Sequence, residues 1–510
     1  MQINKKLIKY FFISIFLVEY FSLIGHIYPL VNNVVFFLII LVFIAASIYK
    51  IEYGLMILLA ELFIGSFGRL FAFSLFCFPL SIRIALWFVF LIIWFAKEIA
   101  DLRRRRFVDW KSIIGVKDSE NQIVFAFFGL FFFVIWGFAN GLLNQSGFGA
   151  VFLDFNGWLY LALLFPILRI LRVKQKIKML MQILILSAAW LSFKTFFLLF
   201  IFSHNMSSIV PEFYAWVRDT RIGEITQMQG GFYRIFMQSH IFVMIAFFLV
   251  LALFAKNFKS LRNINKENLL YYFLATVFSA VNLISLSRSN WLGLALGLVL
   301  FGFFLLYSYG FKKFLVMTAL IFFSGCLSVG LIAFTVKFPF PDPMGGFSTS
   351  ELLSERAKQL SGEAGVSSRW SLLPELWKEI KKAPFLGKGF GAPVTYRSSD
   401  PRVLEANPNG LYTTSAFEWG WLDIWLKLGI FGALSYLLII ILLFKLFVKN
   451  IILRKSDYLD SDLTTALMPT IIIGLAVIAL INFFSPYLNH PLGIGYLLIV
   501  AAILQANEHQ

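Results

Sequence analysis

Charge is scarce in this chain. Of 510 residues only 14% are Asp, Glu, Lys or Arg, while 60% are hydrophobic. A soluble domain carries about a quarter of its residues as charge, so a soluble enzyme or regulator is excluded. Cysteine is nearly absent: Cys77 and Cys326 both lie in or beside apolar runs, which leaves no disulfide framework and no zinc spacing. Histidine is scarce too. Of the five, His204, His240 and His490 fall near one face of the expected bundle and have no ligand-bearing company. No metal site is expected, and no cofactor is implied. Acidic residues are the minority among the charges, 27 against 44 Lys and Arg, for a net +17. Such a balance invites nucleic acid as a partner. Most of the basic residues, however, stand in short segments between apolar runs, the positive-inside pattern of membrane proteins, so no nucleic-acid partner is expected.

What is present is apolar sequence in runs of about 20 residues, the length that crosses a bilayer as helix. Phenylalanine alone accounts for 62 positions. The runs predict an all-α polytopic membrane protein with 12–14 transmembrane helices and one long external loop bearing short helices. The range reflects a short third run at 53–66 and a sixth, 157–171, interrupted by Pro166. Lys5, Lys6 and Lys9 precede the first run, but Glu19 interrupts it and no small-residue cleavage site follows. It therefore reads as a retained span rather than a signal peptide.

Charge sets the expected orientation. Placing the N-terminus inside puts 25 Lys and Arg in cytoplasmic segments, among them the run Arg103–Arg106. Only Arg69, Arg218, Arg221 and Arg288 then fall in short external loops. Both termini are expected inside and residues 335–420 outside. The expected organisation is therefore N-terminal helices at 1–203, helices with arginine-bearing external loops at 204–334, the long external loop at 335–420 and C-terminal helices at 421–510. That loop holds about half of the chain's 15 prolines. The chain shows no internal repeat and no paired broken helices of the transporter kind.

Charges at membrane depth mark either function or structural pairing. Arg83 and Arg169 sit near run ends, where a long side chain snorkels to the interface. Lys194 is mid-run and needs a partner, with Glu19 or Glu61 the candidates. Asp423 and Lys427 are four apart on one helix and suit each other. The arginines at the external face are more informative: Arg221, Arg234, Arg288 in SLSRSNW, and Arg369 in SSRWSLLPELWKEIKK, a segment with serine caps and helical apolar spacing. A guanidinium binds phosphate oxygens bidentately and keeps its charge beside a membrane. Converging arginines would suit a pyrophosphate; the plainer alternative is that each caps a helix or touches a lipid headgroup. The glycines of PFLGKGFGAP permit a tight turn and close backbone approach, but the spacing is not that of a nucleotide P-loop.

In order, SRSNWLGLALG, RWSLLPELWKEIKKAPFLGKGFG and FEWGWLDIWLKLGIFGALSYLLIIILL resemble the O-antigen ligase and O-antigen polymerase superfamily. The resemblance covers about residues 220–445. It implies a glycosyltransferase of the outer face of the bacterial cytoplasmic membrane, with membrane lipids around it. The donor would be an undecaprenyl-pyrophosphate-linked glycan and the acceptor a glycan or lipid-linked hydroxyl. Arg234, Arg288 and Arg369 stand where the family places its pyrophosphate-binding arginines, with Arg221 nearby. The family's histidine lies eleven residues before a glycine–x–x–glycine turn. Here the turn is Gly429 to Gly432, and the corresponding residue is Glu418. By position Glu418 becomes the candidate base, its basicity expected to be raised by partial dehydration at the lipid boundary. Capping of the next helix is the plainer role for it. Two further classes stay open on sequence alone: a flippase or transporter of lipid-linked oligosaccharide, and a non-catalytic scaffold.

Overall fold

Within a bilayer a segment must satisfy its backbone N–H and C=O groups internally, so long apolar runs become helices. The computed structural model describes residues 5–75, 78–104, 121–258, 265–348, 364–453 and 463–508. Among them nine helices are long and apolar enough to cross a membrane. One, Arg288–Val336, is broken by Gly310 at φ 78°, beside Lys312 and Lys313, and so forms two spans. Two shorter apolar helices, Leu467–Ile481 and Pro491–Ala506, join them, as do Ile51–Ile64 and Ile82–Arg104. The chain is an all-α multi-pass membrane protein, and its helices reach the upper end of the expected count. The interruption expected at Pro166 lies earlier: a 3-10 segment, Asn156–Leu163, separates Phe148–Phe155 from Leu164–Ile170. Pro166 falls in the first turn of that last piece, where its missing N–H is tolerated.

At the centre is His240–Asn257, where every residue from His240 to Ala255 is buried. Outer helices such as Pro29–Tyr49 bury only one narrow stripe, Val35, Phe36, Phe43 and Ser47. Charges inside the bundle are paired, as their desolvation demands. Lys194 Nζ lies 2.6 Å from Glu19 Oε1. Arg83 departs from expectation. It is 2% exposed and does not snorkel. Its guanidinium binds both carboxylate oxygens of Glu61, at 2.8 and 3.0 Å, and the Ser66 carbonyl at 2.7 Å. The loop closes over it because Gly68 has φ 72°; a Cβ there would stand 2.6 Å from Arg83 Cβ. Arg169 pairs with Glu98 while more than a third of its side chain stays exposed, as its place near a run end suggests.

The described part of the long loop has its own small core. Helix Ala364–Lys382 places Leu372, Leu376 and Ile380 on one face, against Val394, Phe417 and Leu426. Its start at Ala364 puts Ser367 and Ser368 inside the helix, so neither is the cap the sequence suggested. Ser368 instead ties the helix to the following hairpin: its hydroxyl lies 3.1 Å from that of Ser398 and accepts from Ser399 N–H at 2.9 Å. That hairpin pairs Val394–Arg397 with Leu411–Thr414, Tyr396 opposite Tyr412. A second antiparallel hairpin, Gly223–Gln227 with Tyr233–Met237, precedes the central helix.

The glycine stretch at 387–391 docks this loop on the bundle. Helix Gly420–Leu453 is broken at Gly429, φ 73°. The break frees the Leu426 and Lys427 carbonyls, and they accept from Lys388 N–H at 2.7 Å and Gly389 N–H at 3.1 Å. On the other side Asn140 Nδ2 donates to Gly387 O at 2.8 Å and Phe390 N–H to Gly137 O at 2.9 Å. A Cβ on Gly389 would stand 2.1 Å from Gly141 N. The glycines are there so that backbone can pass between two helices.

Candidate active site

Four separate segments bring the candidate residues to one end of the bundle. Arg288 is the first residue of its helix, after the short turn Ser285–Ser287. Arg234 projects from strand Tyr233–Met237, its Nε donating to Ser285 O at 2.8 Å and its guanidinium 5.0 Å from the Phe236 ring. Arg369 comes from the loop helix, and Glu418 from the stretch just before Gly420. Together with Gln238, Tyr487 and His490, these four line one cavity of about 610 Å³.

Arg221 is not among them. It lines an adjoining cavity of about 500 Å³ that shares Phe67, Glu224, Thr226, Phe236 and Gln238 with the first. Its backbone is in the left-handed region, φ 53°, unusual for a side chain of its size. Burial, with Arg221 adding repulsion, pulls the Arg69 guanidinium below its ordinary value. Positive charge therefore continues past the first cavity into the second.

The charge balance of the first cavity is three arginines against the carboxylates of Glu224 and Glu418. Arg234 Nη1 stands 3.8 Å from Glu224. Arg369 Nε is in direct contact with Glu418 Oε2. This overturns the environment expected for Glu418. Its side chain is half-exposed rather than dehydrated, and its carboxylate turns to a guanidinium rather than to the next helix. The ion pair engages one oxygen of the carboxylate that would serve as base. The fallback carboxylate, Asp423, is 3% exposed and held by Lys427 at 2.7 Å and by Asn489. It belongs to the interior, not to the cavity.

Sequence reasoning missed the contribution of residues 484–490. Phe484, Ser485, Pro486, Tyr487 and His490 all line the cavity from the loop between the last two helices. The signal is a histidine and two prolines in a short break between apolar runs. Burial, with Arg83 adding, pushes its imidazole down to about 3, so it lines the cavity as a neutral ring. Its Nδ1 accepts from Leu492 N–H at 3.4 Å, and its ring packs edge-on against Phe67.

Residues 273–437 match the family model described as O-antigen ligase. Over that stretch the chain is similar to an O-antigen ligase domain. This bears out the resemblance, and the matched stretch contains Arg288, Arg369 and Glu418, while Arg221 and Arg234 precede it. No curated protein matches the chain. A membrane protein with this domain handles glycans.

Proposed function

We propose that the protein transfers a glycan from an undecaprenyl-pyrophosphate-linked donor to an acceptor hydroxyl at the outer face of the bacterial cytoplasmic membrane, as a ligase or a polymerase. The observation that carries this reading is the single cavity lined by Arg234, Arg288, Arg369 and Glu418. Arginines suit a pyrophosphate because each offers paired N–H donors and a charge that does not titrate. They would neutralise the leaving group where other enzymes use a divalent cation. Arg221, in the next cavity, would meet the donor's more distant charge or its sugar.

In the step itself, the acceptor oxygen forms a bond to the donor's anomeric carbon. The carbon–oxygen bond to pyrophosphate breaks, and its electron pair leaves on the phosphate oxygen. The acceptor's proton passes to Glu418. The ion pair with Arg369 gives this step an order: a pyrophosphate taking over the Arg369 guanidinium frees the carboxylate to act as a base. Glu418 would then be competent only with donor in place.

The test is Glu418→Gln in purified, detergent-solubilised protein, assayed for glycan transfer from a lipid-linked donor. Loss of a general base should cost roughly 10²–10⁴-fold in rate, with donor binding retained. Transfer within a few-fold of wild type would remove Glu418 from the mechanism. A wild-type protein that moves the donor across vesicles without transferring its glycan would favour the flippase reading instead.

A further inference from the structure

A second cavity, also about 610 Å³, lies entirely within the described part of the long loop. Its floor is the hairpin 394–414 and its wall the helix Ala364–Lys382. Arg369 and Glu418 line both this cavity and the arginine-rich one, so their ion pair is the partition between the two. Resting on the reading above, we propose that this second cavity is the acceptor subsite, built for an uncharged, hydroxyl-rich sugar.

Charge separates the two cavities. Among the described residues the first is lined by three arginines and two carboxylates, the second by Arg369 with Asp400 and Glu418. The richer arginine lining of the first suits a phosphate or pyrophosphate better than the second does. Shape and chemistry favour a sugar. Tyr396 and Tyr412, opposite each other across the hairpin, present rings edge to face with centroids 5.9 Å apart. Aromatic rings with hydroxyl tips combine an apolar surface for the C–H face of a sugar with hydrogen bonds for its hydroxyls. Burial pushes the Tyr396 phenol up, so it remains a neutral donor. Asp400 adds an acceptor of the kind that bonds hydroxyls. The volume falls within the roughly 300–1,000 Å³ typical of small-ligand sites.

The subsite is also held in shape before any ligand arrives. Ser371 Oγ donates to Arg397 O at 2.6 Å, and the Ser368–Ser398 contact closes the same seam between helix and hairpin. A preformed pocket loses less ordering entropy on binding. The position of the partition then fixes the geometry of transfer: an acceptor hydroxyl in one cavity and the donor's anomeric carbon in the other meet at Glu418.

Ligand-observed NMR on the full-length protein in detergent, proton saturation transfer for saccharides and phosphorus-31 line broadening for pyrophosphate, tests this with two probes. One is a panel of neutral hexose and N-acetylhexosamine di- and trisaccharides; the other is inorganic pyrophosphate. At least one saccharide should bind wild type, and Tyr396→Ala or Tyr412→Ala should weaken that binding about tenfold. Pyrophosphate binding should be unchanged in both variants, which also shows that they are folded. Arg288→Ala should do the reverse, losing pyrophosphate and keeping the sugar. Absence of saccharide binding to wild type, or saccharide binding indifferent to both tyrosines, overturns the acceptor subsite. Failure of pyrophosphate to bind wild type overturns the donor reading, and the saccharide result then stands on its own.

Discussion

The Lys427 ammonium has three N–H donors and meets three acceptors: Asp154 Oδ2 at 2.9 Å, Asp423 Oδ1 at 2.7 Å and the Ser415 carbonyl at 3.0 Å. Asn489 completes Asp423, and Gly391 N–H donates to Asp154 at 2.7 Å. One buried cation thus pins the loop's glycine stretch, two helices and the turn before the last helix beneath the candidate site. Removing it leaves two carboxylates facing each other without compensation, which costs about 3–5 kcal/mol for a buried pair. Lys427→Met should therefore lower the melting temperature in detergent sharply. Adding Asp423→Asn should recover part of the loss, because it removes one uncompensated charge and the two sites are coupled. A Lys427→Met protein that melts with wild type would show the cluster to be ornamental. Half of this cluster was legible: Asp423 and Lys427 are one helical turn apart, so their pairing follows from spacing. Asp154 and Asn489 were not, because no local pattern links them to Lys427 and only the tertiary fold brings them together.

Among the elements, the glycine stretch and the two broken helices show what pattern reading reaches and where it stops. Glycine crowding in GKGFG correctly signals close backbone approach, and the Gly429-to-Gly432 turn marks the break in the helix it meets. That these two features satisfy each other's hydrogen bonds is a long-range fact, invisible to periodicity. The consequence is testable at Gly389. Its φ of 85° is strained for any L side chain, and a Cβ would meet the backbone of Gly141, which cannot rotate away. Strain and overpacking together should destabilise Gly389→Ala by about 2–5 kcal/mol. Gly147 isolates the first term. It has φ 79° with nothing near its Cβ position, so Gly147→Ala should cost only the backbone strain, about 1–3 kcal/mol. Comparable melting temperatures for the two variants would mean that the stretch does not dock between the helices as described.

On the scale of the whole molecule, the spans were legible because a bilayer leaves the backbone no alternative to helix, and the site was legible only in part. The arginines were found by their position at loop ends, but their assembly into one cavity needs the alternation of helices to return every contributing loop to the same end. That alternation holds here. The loop at Phe67, the hairpin of Arg234, the turn before Arg288, the described long loop and the segment ending at His490 all meet in one place. The expected orientation rests on charge in the sequence, 25 basic residues in the expected cytoplasmic segments against four in short external loops. Long loops translocate regardless of charge, so Arg369, Lys378, Lys381 and Lys382 do not count against an external site. Single-cysteine labelling checks the orientation in a background lacking Cys77 and Cys326. Ser398 is a poor position because it is buried; Asn409 at the exposed hairpin tip and Gln175 at the exposed start of helix Lys174–Ser203 are better. In intact cells, with the outer membrane permeabilised, a membrane-impermeant thiol reagent should modify Asn409→Cys and spare Gln175→Cys until the inner membrane is broken. The reverse pattern would place the arginine cavity in the cytoplasm, where an externally presented lipid-linked glycan never arrives, and would end the transferase reading along with the orientation.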